Sequence, residues 1–159
     1  MKTPLNTIPM KTREFQTELW LPLLPEELFP FFADASNLDT ITPPWLHFHI
    51  VTPPPMEMVE GALIDYRLRV RGVPLRWRTR INVWQPPHRF VDEQISGPYR
   101  RWIHEHTFTV QNDGTLVRDV VHYAVPFDLL THRLLVKPDL ERIFAFRKQA
   151  LQQRFGARR

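Results

Sequence analysis

Two histidines one residue apart, His104 and His106, sit in the segment Trp102 to Val110, whose branched and aromatic residues predict a β-strand. Side chains two apart on a strand point the same way, so Trp102, His104, His106 and Phe108 share one face, opposite Ile103, Glu105, Thr107 and Thr109. Trp102 and Phe108 are the bulkier anchors, and their face is assigned to the interior. The same parity brings in Phe90, Asp92 and Gln94 from the strand before, and Asp119, Val121 and Tyr123 from the strand after. Two imidazoles, two carboxylates, an amide and a phenol then converge on one concave surface. A histidine gives and takes protons near neutral pH, so the chemistry this set supports is general acid–base catalysis by His104 or His106. Asp92 or Asp119 would orient the imidazole and Tyr123 would donate to a ligand carbonyl. The same residues also read as a polar seam in which each buried group satisfies another, or as groups that orient a ligand without transforming it. Two imidazoles so spaced can ligate a metal together with a carboxylate, but the spacing is unspecific and no metal is assigned.

The elements that must position these residues are legible as strands and helices punctuated by proline. From Arg13 to Leu23, Phe15, Thr17, Leu19 and Leu21 alternate with Glu14, Gln16 and Glu18, the period of a half-buried strand. Pro25, Glu26 and Glu27 suit a helix start, with Leu28, Phe29, Phe32, Ala35 and Leu38 as its apolar face. Pro30 should bend or delay that helix, and a second short helical turn is expected around Asp39 to Pro43. Six further strands are predicted: Leu46 to Val51, Ala62 to Arg71, Leu75 to Trp84, Phe90 to Ile95, Trp102 to Val110 and Thr115 to Val125. Short turns at Gly72 with Pro74, Pro86 with Pro87, Gly97 with Pro98 and Asn112 to Gly114 join them as an antiparallel meander. Pro138 to Phe155 places Leu140, Ile143, Phe144, Leu151 and Phe155 on one helical face, with Gly156 as the stop. Thr131 to Val136 can add an earlier helical stretch that Pro138 kinks or separates. A meander of this length must curl, and only the last helix is long enough to cover its concave face.

The chain's 159 residues suit one domain, 12–159, after a flexible arm at 1–11, and 43% hydrophobic with 24% charged residues supports a buried core. With no cysteine there is no disulfide framework, thiolate metal site or cysteine nucleophile. No apolar run resembles a secretory signal or a membrane span, so a cytoplasmic location is expected. No glycine-rich phosphate loop, serine elbow or dinucleotide fingerprint is present, and no cofactor is assigned.

The net charge of +4 leaves room for an anionic partner. Arg67, Arg69 and Arg71 alternate on one strand and Arg76, Arg78 and Arg80 on the next, so a hairpin gathers six guanidinium groups on the outer face. Tyr66, Leu68 and Val70 with Leu75, Trp77, Thr79 and Ile81 form the inner face. The arginine stripe can bind phosphates, an anionic membrane or an acidic protein, or it can simply blunt a soluble sheet against edge pairing. RNA recognition would need stacking aromatics on that face, where only Trp84 qualifies, so nucleic acid is not favoured. Trp45, Phe48, Met56, Met58 and the phenylalanines of the first helix can form a mouth over a pocket or belong to the ordinary core.

The element order resembles the START-like (Bet v 1-like, SRPBCC) superfamily, and more narrowly its bacterial cyclase/dehydrase-like members. The residues that carry the resemblance are Asn37-Leu38 with Thr42-Pro43-Pro44, Trp77, Ile81, Phe90-Val91-Asp92-Glu93-Gln94, Gly97-Pro98-Tyr99, Trp102-x-His104-x-His106-x-Phe108, Gly114-Thr115, Asp119, Tyr123, Pro126, and Ile143-Phe144 with Arg147. It implies a helix-grip α+β fold: a seven-stranded curved antiparallel sheet around a long C-terminal helix, with two short helices between strands one and two. It also implies a cavity for a small hydrophobic or amphipathic ligand such as a lipid, polyketide or quinone. Tyr66, Trp77, Gln94, Trp102, Phe108, Tyr123, Ile143 and Arg147 are the expected ligand contacts, with His104, His106, Asp92 and Asp119 as candidate catalytic residues. Some members of the superfamily catalyse cyclisation or dehydration. Ligand binding alone, such an enzyme, and an arginine-faced interaction module are therefore the three functional readings.

Overall fold

The computed structural model describes residues 10–157. The alternating segment forms β1 (Arg13–Leu21), and α1 (Pro25–Ala33) follows. Pro25 opens α1 where its missing N–H costs nothing, and the Glu27 carboxylate accepts the Leu24 N–H at 3.0 Å. Pro30 lies within α1 on its exposed side. Two 3-10 turns follow, Ala35–Ile41 and Pro44–Leu46, so the second helical stretch begins earlier than Asp39. The left-handed His47 (φ 45°) after the second turn leaves only His49–Ile50 for β2, shorter than the run from Leu46 to Val51 suggests.

The meander then runs β3 (Leu63–Val70), β4 (Val73–Gln85), β5 (Arg89–Ser96), β6 (Arg101–Gln111) and β7 (Gly114–Ala124). All pairings are antiparallel, in the order β1-β7-β6-β5-β4-β3-β2, so the first strand closes onto the last. The β3–β4 turn is tighter than expected. Val70 pairs directly with Val73, leaving Arg71 (φ 51°) and Gly72 (φ 80°) as its two left-handed central residues. Arg71 is therefore a turn residue and not the last arginine of a strand stripe.

After β7 the chain passes Phe127, a left-handed non-glycine residue, into a helical stretch of α2 (Asp128–Thr131), a π-helical turn (His132–Val136) and α3 (Lys137–Phe155). The π-turn explains how Pro138 is tolerated without a break. Proline cannot donate to the preceding turn, and the backbone widens there, with the Lys137 N–H reaching the His132 carbonyl. Gly156 ends α3 as expected, but at φ −75° and not in the left-handed form usual for glycine stops. The expected arm at 1–11 lies outside the described residues except for its last two positions.

Seven curved antiparallel strands with a long C-terminal helix across them make a helix-grip α+β fold. None of the helices among the described residues is long and apolar enough to cross a membrane.

Candidate functional site

The sheet's concave face is packed solid at one end and hollow at the other. At the β1–β7 end, Leu19, Leu21, Phe108, Val117 and Leu151 pack with Phe29 and Phe32 of α1, while Val121, Tyr123, Leu140 and Phe144 form a second cluster beneath α3. Phe15 of β1 meets Phe144 at 4.9 Å between ring centres. Toward β3 and β4 the helix stands off, and a cavity of about 580 Å³ remains. Its wall is drawn from β3 to β6, the underside of α3 and the ends of α1 and the 3-10 turns, with no residue of β1 or β7.

The wall is aromatic. Tyr66 stacks on Trp77 at 5.9 Å, Trp77 meets Trp102 edge-on at 5.3 Å, and Tyr99 closes the group against Trp102 at 4.7 Å. The polar tips of Tyr66 and Trp77 are satisfied within the wall. The Thr79 hydroxyl oxygen accepts the Trp77 indole N–H at 3.1 Å and also lies 3.1 Å from the Tyr66 hydroxyl. Burial, with the nearby Asp92 carboxylate, pushes the Tyr66 hydroxyl far above its ordinary range, so it stays neutral. Apolar ring faces are what remain toward the hollow.

One polar cluster interrupts this surface. Register places His104 beside Asp92 and Val121, and His106 beside Phe90 and Asp119. His104 Nε2 lies 2.8 Å from Asp119 Oδ1, and His106 Nε2 lies 2.9 Å from Asp92 Oδ2. His106 Nδ1 is also 2.9 Å from Asp119 Oδ1, though not aligned as a hydrogen bond, and His104 Nδ1 is 3.9 Å from Asp92 Oδ2. Arg147 of α3 brings its guanidinium to 3.7 Å from Asp119. His104, His106 and Asp119 are only 7%, 4% and 5% exposed, so these charges must balance one another.

The cluster's electrostatics separate its members. Burial, reinforced by the charge of His106, pulls His104 below the ordinary imidazole range. Burial also opposes charge on His106, but the Asp119 and Asp92 carboxylates beside it outweigh that and hold it above the ordinary range. For Asp119, burial alone would raise the carboxyl. The Arg147 charge and the two histidines overcome it and hold Asp119 well below the usual carboxylate range. The two imidazoles, 3.7 Å apart between ring centres, thus differ in proton affinity.

Of the residues singled out in the sequence, Tyr66, Trp77, Asp92, Trp102, His104, His106, Ile143 and Arg147 border the cavity. Gln94, Phe108, Asp119 and Tyr123 do not. Phe108 and Tyr123 point inward as parity demands, but toward the end that α1 and the α2–α3 segment cover directly. Phe108 is enclosed by Phe29 and Phe32, and the Tyr123 hydroxyl meets His132 Nε2 at 2.9 Å. Asp119 stands behind the histidines. Gln94 is spent on the following loop, where its amide donates to the Tyr99 carbonyl and accepts the Tyr99 N–H.

The mouth differs from expectation as well. Phe31, Phe32, Phe48 and Met58 border the cavity, whereas Trp45 packs on Phe146 under the Arg142 guanidinium. The sequence reading missed Phe127, Leu135 and Val136 from the α2–α3 segment. Phe127 is 87% exposed, an uncommon setting for a phenylalanine, and a lone aromatic after Pro126 carries no periodic signal. On the outer face Arg78 pairs with Asp65 and Arg80 with Glu93, and Arg71 turns away to Asp139. Trp84 is half-buried, with its ring packed against Phe29 and Phe90.

Residues 21–152 match the family model described as polyketide cyclase / dehydrase and lipid transport. No curated protein sequence matches the chain significantly. Among solved structures, the ginseng major latex-like protein 151 from Panax ginseng superposes with a TM-score of 0.68 at 8% identity, over 91% of this chain and 97% of that one. A protein from Mycobacterium smegmatis gives 0.66 at 16% identity, with 88% of each chain covered. A nucleoside-diphosphate sugar epimerase from Corynebacterium glutamicum gives 0.65 at 24% identity, over 87% of this chain but only 28% of that one. These likenesses place the fold among Bet v 1-like, SRPBCC proteins.

Proposed function

The chain belongs to the polyketide cyclase / dehydrase and lipid transport family, and from that premise we propose that it binds a small hydrophobic or amphipathic molecule between sheet and helix. The observation that carries this reading is the aromatic-walled cavity of about 580 Å³, within the range of pockets that enclose drug-sized ligands. A folded domain ordinarily closes such a space, because unfilled apolar volume forfeits packing energy. Tyr66, Trp77 and Trp102 present ring faces to the ligand. Ile143 and Phe144 form its roof, and the His104–Asp92 edge supplies polar contacts that fix its orientation.

The test is extraction of the purified protein under denaturing conditions, with mass analysis of the apolar fraction, alongside titration with a fluorescent apolar probe. Retained ligand, or saturable probe binding that Leu75→Trp abolishes in a folded protein, is the expected outcome. Leu75 borders the cavity, so a larger side chain there fills it. Overpacking costs about 1–3 kcal/mol, and thermal melting is recorded in parallel. Neither retained ligand nor probe binding would overturn the reading.

A second reading is supported by the two hydrogen-bonded pairs, His104–Asp119 and His106–Asp92, of which Asp92, His104 and His106 border the cavity. General acid–base work requires geometry first, and these groups border the space a ligand would fill. In a dehydration one imidazole would remove a carbon-bound proton while the other, protonated, gives one to the hydroxyl that departs as water. In a cyclisation the second proton would go to the oxygen of the carbonyl at which the new bond forms. Loss of turnover in His104→Gln with ligand retention preserved separates catalysis from binding.

A further inference from the structure

We propose that Asp92, His104 and His106 form a binding site for one divalent first-row transition-metal ion, facing the cavity, with Asp119 anchoring both imidazoles from behind. One ligand atom from each of the three residues lies within 4.8 Å of the other two. Asp92 Oδ2 is the hub, 2.9 Å from His106 Nε2 and 3.9 Å from His104 Nδ1. Metal bonds of about 2.0–2.2 Å set neighbouring ligand atoms about 3.3 Å apart in a tetrahedral shell, and the two observed separations bracket that value.

The hydrogen-bond inventory points the same way. An ionised carboxylate only accepts, so in its neutral form His104 carries its proton on Nε2, where it meets Asp119. Its Nδ1 then carries a lone pair 3.9 Å from the Asp92 oxygen. Two acceptors at that separation make no hydrogen bond with each other, and a cation between them would engage both. His106 completes the symmetry. Its Nδ1, buried and without a hydrogen-bond partner, lies 2.9 Å from the same Asp119 oxygen that His104 engages. With Nε2 given to a metal, His106 Nδ1 carries the proton, and a turn of the ring aligns it on Asp119.

One carboxylate would then hold the outer nitrogens of both ligand imidazoles. This is the arrangement that fixes tautomer and ring orientation around protein-bound metals, and Arg147 offsets its charge. The placement is also asymmetric in the useful sense. Asp92, His104 and His106 border the cavity while Asp119 does not, so the ligand atoms face the space and the support lies behind them. Two imidazoles and a carboxylate suit zinc, iron or cobalt over magnesium or calcium, and three protein ligands leave positions open toward the cavity. A carbonyl, enol or carboxylate group on a bound molecule would occupy them. The site does not depend on the apolar-ligand reading, since either can fail while the other stands.

The experiment is titration of chelator-stripped full-length protein with Co(II), read as visible ligand-field absorption. Saturation at one Co(II) per chain, reversed by Zn(II), is expected. His104→Gln and Asp92→Asn each remove the band, and His122→Gln on the exposed face leaves it unchanged. Asp119→Asn, a positioning change, weakens affinity about 10–100-fold and shifts the band, which a purely structural role would not do. Circular dichroism accompanies every variant. Should a variant unfold, proton NMR of the wild-type histidines decides, with paramagnetic shifts confined to His104 and His106 and absent from His122 and His132. No band with wild-type protein, or a band that survives His104→Gln and Asp92→Asn, would overturn the inference.

Discussion

Arg71, at the tip of the β3–β4 turn, donates from Nε and Nη2 on one guanidinium edge to both carboxylate oxygens of Asp139 in the first turn of α3, at 2.9 and 3.0 Å. Both residues border the cavity, so the bridge ties hairpin to helix across one side of its opening. Because Arg71 is half exposed, the bridge contributes no more than about 1 kcal/mol to folding. Its effect should instead fall on access. Arg71→Ala is expected to release a bound apolar probe severalfold faster in stopped-flow measurements, with the melting temperature nearly unchanged. An unchanged release rate would remove the bridge from the entry route.

The division into solid and hollow ends predicts unequal responses to truncation. Phe108 is 2% exposed among aromatic neighbours, so Phe108→Ala should cost about 3–5 kcal/mol in urea unfolding. Leu75, half-buried on the cavity wall, already lacks packing on its inner side, and Leu75→Ala should cost about 1 kcal/mol. Equal losses would mean that the cavity is closed in solution.

That contrast marks the limit of what the sequence reveals. Period-two alternation has direct physical content, since it names the face on which a side chain must sit, and it placed Trp102, His104, His106 and Phe108 inward together with Asp92 and Asp119. It does not say what lies above that face. Tyr123 and Phe108 obey the same parity as Trp102, yet the α2–α3 segment and α1 cover them, while the space over Trp77 stays open. Arg71 shows a second limit, because an alternating pattern runs on through a turn unless backbone pairing ends it at Val70. Phe127 and the π-turn before Pro138 depend on local backbone geometry that leaves no repeating signature.

The buried ion cluster should respond as a unit. Arg147 is the guanidinium nearest the Asp119 carboxylate in this cluster, and removing one partner of a buried pair leaves the other uncompensated. Arg147→Met is expected to destabilise the protein by about 3–5 kcal/mol. Asp119→Asn in the same chain should restore part of that loss, because the carboxylate left unbalanced is gone. A double-mutant cycle by urea unfolding measures the coupling, and strictly additive losses would show that the two side chains act independently.

His132 offers a pH-dependent test away from the cluster. Its Nε2 meets the Tyr123 hydroxyl, and its proton affinity is lowered first by burial and then by the positive charge of Arg13, against the opposing charge of Asp128. Arg13 itself is held by Asp128 at 2.8 and 2.9 Å. A histidine that binds its proton less readily folded than unfolded makes the unfolded chain the better proton acceptor. Its contribution to stability is therefore present above about pH 6.5, the unfolded value, and is lost as pH falls through the lower folded one. NMR titration of the His132 ring should give a midpoint below that of a free imidazole. Arg13→Gln removes the repelling charge and frees the Asp128 carboxylate, so both effects should move the midpoint upward. An absent shift would mean that burial alone sets the value, and a downward one would overturn the assignment of Arg13 as the repelling charge.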